Sequence, residues 1–263
     1  MVRSLYTAAT GMEAQQLFMD TISHNLSNVN TNGFKRSKVE FQDLLYQTLK
    51  EPGVKNQEGE VAPVGIEVGL GVKPAATQKI FDQGSLAQTG NPLDVAIQGN
   101  GFFQITMPDG TIGYTRDGSF KKTADGTVVT SDGYPLSQQI NIPQGADQLG
   151  IDSTTGKVTV IMPGQQTSTE IGQIELARFV NPAGLKSIGD NLYVETEASG
   201  QPTVNAPSED GMGTLSQGYL EASNVQIVDE MVNMISAQRA YEIVSKSIQV
   251  SDEMMQVANN LKR

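Results

Sequence analysis

Few side chains in this sequence are of the kinds that enzymes use for nucleophilic or metal-dependent chemistry. The chain contains no cysteine, which excludes disulfides, thiolate zinc sites and cysteine nucleophiles. His24 is the single histidine, so a two-histidine metal site and a Ser-His triad with a second base are both excluded. Because His24 stands among serines and asparagines of a predicted helix, we expect a packing or hydrogen-bonding role for it.

Four Asp-Gly pairs, at Asp109, Asp117, Asp125 and Asp132, follow one another at intervals of eight, eight and seven residues. Closely spaced aspartates occur in calcium-binding repeats, but the glycine-rich nonapeptide of those repeats is missing here. Asp-Gly is also a preferred pair for tight hairpin turns. The spacing therefore predicts successive hairpins of an antiparallel sheet, and we expect no metal site.

Two glycine pairs and the many carboxylates are the other candidates for chemistry. Residues 69–71 and 99–101 each begin like a dinucleotide-binding fingerprint, but both lack its third glycine and neither opens a predicted helix. We interpret both as turns. A glycosidase-like carboxylate pair assembles only in three dimensions, and no Asp or Glu stands out by its neighbours. We therefore expect no catalytic residue and no cofactor.

Charge and composition narrow the class of protein further. Eighteen basic and twenty-nine acidic residues give a net charge of −11, which repels polyanions, so we expect no nucleic-acid partner. The one basic cluster, Lys35, Arg36 and Lys38, is interpreted as a solvated loop edge. The first residues lack the apolar core of a secretory signal, and no apolar run approaches the about 18–20 residues of a membrane span.

Helix breakers divide the chain into two glycine-poor ends and a turn-rich middle. Residues 1–35 contain two glycines, residues 221–263 contain none, and neither segment contains proline. Because glycine and proline are costly inside helices, the pattern predicts two helical ends around a β-rich centre. The fold class predicted is α+β, with the terminal helices paired as a coiled coil.

Both ends carry apolar residues at seven-residue intervals, with a second column three positions later. A stripe of this kind needs a partner helix, and methionines in it suit packing against more than one surface. An intramolecular antiparallel hairpin and a contact between subunits are both compatible with the periodicity. The residues assigned to a subunit interface are Leu5, Met12, Met19, Ile22, Leu26, Val29, Ile227, Met234, Tyr241, Ile248 and Met255.

Local signals set the ends of the predicted elements. Residues 28–33, rich in Asn and closed by Gly33, predict the end of the first helix. Ser223 with Gln226 predicts a capping box at the start of the last helix, whose first turn carries Asp229 and Glu230. Residues 41–47 are a candidate short helix, residues 64–72 alternate like a strand, and the pattern is β from about residue 93 onward.

Two segments carry a resemblance to a known family. Residues 22–35, with the sequence ISHNLSNVNTNGFK, and residues 223–225 and 230–242 near the other end resemble the axial proteins of the bacterial flagellum, which are rod, hook and hook-associated subunits. Residues 41–53, 94–103 and 114–120 are similar to the distal rod members of that family. Proximal rod and hook subunits are the alternatives within it, and an adhesin-like or peptidoglycan-processing β-domain protein is the alternative outside it.

The resemblance implies a function and a domain plan. It implies an inner helical domain (1–35 with 221–263), a connecting segment (36–75) and a β-rich outer domain (76–220), in a subunit that polymerises into a rigid shaft across the periplasm. Implied partners are further copies in a helical polymer, proximal rod proteins, hook and hook-cap or rod-cap proteins, and peptidoglycan and outer-membrane ring proteins. Export by the flagellar type III system is also implied. The residues assigned to a rod-type arm are Tyr46, Pro52, Gly53, Pro63 and Gly65.

Overall fold

The computed structural model describes residues 2–51, 64–146, 148–163 and 167–260. Within these residues, two α-helices, α1 (Val2–Ser27) and α2 (Ile227–Asn260), flank nineteen strands and one 3-10 turn, Pro182–Gly184, in sequence. The α+β class and the helical ends are therefore confirmed. No helix among the described residues is long and apolar enough to cross a membrane.

The chain forms two compact units. The helical unit comprises Met1–Leu26, Ser37–Gln78 and Gln226–Arg263, and the β unit comprises Ser27–Arg36 and Lys79–Val225. Besides its helices, the helical unit contains a pair formed by β1 (Ser37–Asp43) and β4 (Val72–Lys79), which ends in the β unit, and an antiparallel hairpin of β2 (Tyr46–Lys50) and β3 (Ile66–Gly69).

Residues 41–47 are not helical, contrary to the prediction. Phe41 lies in β1, Tyr46 begins β2, and both strands obtain their backbone partners from residues 66–79. The predicted strand in residues 64–72 is confirmed as β3. Pairing with a distant segment thus decided the structure of a short apolar run whose own sequence fits either state.

The β unit is built on a six-stranded sheet in the order β15–β16–β8–β7–β14–β17. A three-stranded sheet, β11–β12–β13, and the pairs β18–β6, β19–β5 and β10–β9 complete it. The strands of the unit are β5 (Leu86–Gln88), β6 (Val95–Gln98), β7 (Phe102–Thr106), β8 (Ile112–Thr115), β9 (Lys121–Lys122), β10 (Val128–Val129), β11 (Gln148–Ile151), β12 (Lys157–Ile161), β13 (Thr169–Gln173), β14 (Leu176–Arg178), β15 (Lys186–Gly189), β16 (Leu192–Val194), β17 (Thr203–Asn205), β18 (Thr214–Gln217) and β19 (Tyr219–Glu221).

Alternate faces of these strands form two apolar clusters. The larger surrounds Phe103, which is fully buried, and includes side chains from β6, β10, β12, β14 and β18. The smaller is aromatic: the Phe102 ring meets Phe179 edge to face at 5.8 Å, and Phe179 meets Tyr114 at 4.8 Å. Together these clusters supply the core of the β unit.

Three of the four Asp-Gly pairs make the predicted turns. Asp109 links β7 to β8, Asp125 links β9 to β10, and Asp132 follows β10 in a turn closed by the Thr130 amide donating to the Tyr134 carbonyl. Asp117 does not join two paired strands, so the prediction is wrong there. Its carboxylate accepts a hydrogen bond from the Ser119 amide, and the next carbonyl, of Gly118, accepts one from Val95 at the start of β6.

The predicted cap of the last helix is also wrong. The Ser223 hydroxyl accepts a hydrogen bond from the Val225 amide. The helix α2 begins at Ile227, four residues after Ser223. The carbonyl of Gln226, not of Ser223, accepts the first helical bond from Glu230. Asp229 and Glu230 do lie in the first turn, as predicted, while residues 262 and 263 are outside the described part of the chain.

Candidate assembly surface

The two terminal helices contact each other in antiparallel orientation within the helical unit. Gly11 of α1 faces Val244 of α2, whose Cγ1 lies 3.8 Å from where a Cβ on Gly11 would stand. Fourteen residues further along α1, the Asn25 amide donates to the Glu230 carboxylate at 3.5 Å, and Glu230 lies fourteen residues before Val244. Fourteen residues forward along α1 therefore correspond to fourteen residues backward along α2, as in an antiparallel pair of helices.

One face of α2 is covered. Glu230, Ala237 and Ser251 are buried on it, at positions that repeat every seven or fourteen residues. Of the α2 residues assigned to the interface, Met234, Ile248 and Met255 are half-buried beside this row, whereas Ile227 and Tyr241 are exposed.

The assigned residues of α1 are more covered. Ile22 is buried, and Leu5, Met12, Met19 and Leu26 are half-buried. Val29 lies beyond the end of α1, in the segment of the β unit that follows it, and is half-buried. Their assignment to contacts between subunits remains a prediction.

A second set of apolar residues on α2 lies outside the buried row and is exposed. At about 100° per residue, Val228, Val232 and Ile235 lie roughly 160° from the nearest residue in sequence of the buried row, Ile243, Val250 and Val257 lie roughly 100–120° from it, and Met254 lies roughly 60° from it. This set, here called the outer stripe, consists of Val228, Val232, Ile235, Ile243, Val250, Met254 and Val257, which are between 46% and 73% exposed. Arg239 and Lys246 interrupt it at the middle. The sequence analysis missed this stripe, although a helix with apolar residues on opposite sides is itself the signal of packing on more than one side.

The β2–β3 hairpin adds further exposed apolar residues to the helical unit. Every residue of β2 is exposed, and Leu45 just before it is 84% exposed. Tyr46 of the predicted arm opens β2, and the Asp43 carboxylate raises the pKa of its phenol through a hydrogen bond. Gly65 lies directly before β3 and is half-buried. The other arm residues, Pro52, Gly53 and Pro63, lie outside the described residues.

An open, mainly apolar cavity of about 620 Å³ lies between these elements. Thr7 and Ala8 of α1, Val68 of β3, and Ile243 and Val244 of α2 contribute to its wall. Exposed apolar side chains and an unfilled apolar cavity in one unit are the features expected of a surface that another protein surface covers.

The β unit holds a buried polar junction around Glu221. Lys35, interpreted from the sequence as a solvated residue, is 0% exposed, so that interpretation is wrong. Its ammonium group donates to the Glu221 carboxylate at 2.5 Å and to the Asp82 carbonyl at 2.7 Å. Arg36 is half-buried, and Lys38 alone of the cluster is exposed. Lys35 can be buried because an ion pair and a carbonyl replace its water.

Arg116 approaches the same carboxylate from another side. Its guanidinium lies 3.4 Å from the second oxygen of Glu221 and donates to the Gly99 carbonyl at 2.8 Å. Burial lowers the pKa of Lys35 and of Arg116, and the charge of Glu221 opposes that shift in both cases. Two buried cations thus depend on one buried carboxylate.

In the described ranges, no three His, Cys, Asp or Glu side chains come close enough together to hold a metal ion. His24 is exposed on α1. The surfaces that stand out are therefore the apolar faces of the helical unit and the ionic junction of the β unit.

Three families match the sequence along its length. Residues 5–35 match the flagella basal body rod protein family, and residues 96–160 match the flagellar hook protein FlgE/F/G D1 domain. Residues 216–261 match the flagellar basal body rod FlgEFG protein C-terminal family. The matched segments include most of α1, the strands from β7 to β11 and all of α2.

Known proteins are similar over the whole chain. The flagellar basal-body rod protein FlgG of Borreliella burgdorferi is 53% identical over 264 residues, with all of both chains covered. FlgG of Buchnera aphidicola from Schizaphis graminum is 49% identical over 99% of this chain and all of its own. The flagellar hook-basal body complex protein FlhP of Bacillus subtilis is 31% identical over the full length of both. The chain belongs to the bacterial flagellar basal-body rod protein family.

Proposed function

We propose that this protein is a structural subunit of the distal flagellar rod, whose copies polymerise through the apolar faces of their terminal helices into a tubular shaft. The observation that carries the proposal is the outer stripe of α2. It leaves seven large apolar side chains largely in water in a single chain. The names of the relatives, basal-body rod proteins, support the location in the rod.

Energetics favour contacts on several sides over a simple pair. Full burial of a large apolar side chain contributes about 1.5–3 kcal/mol, so covering seven side chains that are about half exposed contributes on the order of 5–10 kcal/mol. Association costs an estimated ~4–15 kcal/mol. One such contact does not guarantee a stable dimer, but the neighbours of a helical polymer supply several contacts to every copy.

The finer picture of the helical unit follows from the same reasoning. We propose that α1 and α2 form a coiled coil on their facing stripes, and that the outer stripe then packs on helices of neighbouring copies. In this picture the helical ends (1–35 with 221–263) form an inner domain, residues 36–75 connect, and residues 76–220 form an outer β domain. The antiparallel contacts at Gly11 and Asn25 support the pairing.

The arm from about Tyr46 to Gly65 would stiffen the shaft by packing between copies. Its described part is the β2–β3 hairpin, whose exposed Tyr46 and Leu49, with Leu45 just before them, offer an apolar contact. Deleting the arm is expected to give flexible or curved filaments, as a hook subunit forms. Straight and rigid filaments from the deletion variant would count against this role.

The partners follow from a place in the rod. We propose contacts with proximal rod proteins at one end, with hook and hook-cap or rod-cap proteins at the other, and with peptidoglycan and outer-membrane ring proteins around the shaft. The shaft would carry torque from the proximal rod to the hook. The protein belongs to a family of structural subunits, and we propose no enzymatic activity for it.

Electron microscopy of concentrated protein tests the proposal. Wild-type chains should form straight helical filaments, and Val232→Asp, which places a charge in the outer stripe, should abolish them. Gln238→Asp introduces the same residue at an exposed position of α2 about 120° away from Val232 and should affect assembly less. Filaments of Val232→Asp as abundant as those of the wild type would show that the stripe is not a contact. Turnover of purified peptidoglycan by the wild type would favour the peptidoglycan-processing alternative.

A further inference from the structure

The chain passes between the two units at four points, and the Glu221 junction joins the segments of the β unit next to three of them. Residues 33–36 precede the boundary at Arg36, residues 79–84 follow the boundary at Gln78, and residues 221–224 precede the boundary at Val225. All three belong to the β unit. They lie far apart in sequence, so only tertiary contacts can order them together.

Glu221 contacts the other two segments through both its side chain and its backbone. One carboxylate oxygen accepts hydrogen bonds from the Lys35 ammonium at 2.5 Å and from the Gly84 amide at 2.9 Å. Its carbonyl accepts one from the Gly33 amide at 2.8 Å. A single residue of the last segment is thereby bonded to residues 33–36 and to residues 79–84.

Asn224, three residues after Glu221, also forms hydrogen bonds with both of the other segments. Its side-chain carbonyl accepts a hydrogen bond from the Arg36 amide at 2.8 Å, and its amide group donates to the Ile80 carbonyl at 2.8 Å. The Lys79 ammonium group donates to the Lys35 carbonyl at 3.1 Å and so bonds the second segment directly to the first. Each of the three segments is therefore bonded to both of the others.

The charges make this connection cooperative. Lys35 and Arg116 are 0% and 3% exposed, and Glu221, at 1% exposed, is the carboxylate that pairs with both. When one member of a buried ion set is removed, the remaining charge is left without solvent or partner, which is far costlier than loss of an exposed pair. Without the Glu221 charge, two cations lose their partner together.

We propose that Glu221 is a latch that makes residues 33–36, 79–84 and 221–224 become ordered together or not at all. Since Glu221 comes after four fifths of the chain, the β unit completes its junction only when the C-terminal part of the protein is available. This inference stands whether or not the protein polymerises.

Hydrogen–deuterium exchange of the full-length protein tests the latch with Glu221→Gln, which keeps the shape and removes the charge. Exchange should accelerate by at least about tenfold in residues 33–36 and 79–84 together. Glu170→Gln is the matched control, because Glu170 pairs with Lys157 at 3.1 Å where both side chains are about half exposed. The control should leave both segments unchanged. Acceleration in only one segment, or in neither, would overturn the proposal.

If Glu221→Gln fails to fold, recovery of the folded state in a double variant decides the test. Lys35→Met/Glu221→Gln removes one of the two cations that lose their partner and should be better protected than Glu221→Gln alone, although it carries one more substitution. Lys35→Met alone leaves Arg116 and Glu221 as a one-to-one pair and should show the mildest loosening. A double variant that is no better protected than the single would show that shape, not charge, holds the junction, and would contradict the latch.

Discussion

Gly33→Ala is expected to destabilise the β unit through two separable effects. Gly33 has a φ of +67°, and an added Cβ would lie 2.5 Å from the Asp117 nitrogen and 2.7 Å from the Arg116 carbonyl carbon. The left-handed conformation costs a non-glycine residue about 1–2 kcal/mol, and overpacking against backbone adds about 1–3 kcal/mol. The free energy of unfolding should therefore fall by roughly 2–5 kcal/mol, and the melting temperature by roughly 4–20 °C for a unit of this size.

Gly200→Ala is the matched control for the first effect. Gly200 has a φ of +76° and no atom within 4 Å of an added Cβ, so only the conformational cost of about 1–2 kcal/mol applies. Thermal unfolding can be followed by near-ultraviolet circular dichroism, because the chain has no tryptophan and Tyr114 and Tyr193 are buried in the β unit. Equal destabilisation by the two substitutions would refute the close packing of Gly33 on Arg116 and Asp117.

Three further substitutions test the β unit. Phe103→Ala empties a fully buried position and should cost about 3–5 kcal/mol in chemical denaturation; a loss under about 1 kcal/mol would place Phe103 outside the core. Burial raises the pKa of Tyr114 to about 12, so the folded state keeps a proton that the unfolded state releases above about pH 10, and stability should fall there; Tyr114→Phe should reduce that fall, and an unchanged pH profile would contradict it. Burial also raises the pKa of Asp117, so its charged form opposes folding. The stability of Asp117→Asn relative to the wild type should therefore increase as the pH rises from about 3 to 7. A stability difference that does not change with pH would argue against a buried carboxylate.

The helical ends could be predicted because their signals are local. Breakers at Gly33 and before Glu221, and apolar residues at seven-residue intervals, are visible within one segment and need no knowledge of the partner. The hairpins at Asp109, Asp125 and Asp132 follow for the same reason, since a two-residue turn determines its own conformation. Asp117 has the same local sequence, but contacts with β6 decide its structure.

The misassigned segments depend on partners distant in sequence. Residues 41–47 are strands because residues 66–79 pair with them. Lys35 is buried because Glu221, 186 residues away, neutralises it. Neither partner is marked by any local pattern, so a single sequence could not have revealed the ionic junction.

The outer stripe of α2 has a local signal in the sequence, but it lies outside the seven-residue columns. The seven-residue columns follow the covered face only in part, since Ile227 and Tyr241 are exposed. Val228, Val232 and Ile235 follow the same periodicity on the opposite side. A test for two opposed stripes would have found them and predicted packing on both faces.

Methionine oxidation in dilute and in concentrated protein is the most direct measurement of whether assembly covers the helical faces. Met231 and Met254 of α2 are each half exposed in the single chain, whereas Met212 of the β unit is buried and serves as the internal control. In dilute solution the two α2 methionines should be oxidised rapidly and Met212 slowly. In filaments the α2 methionines should become protected while Met212 stays unchanged. Filaments in which both α2 methionines remain as reactive as in the dilute protein would contradict assembly through the terminal helices.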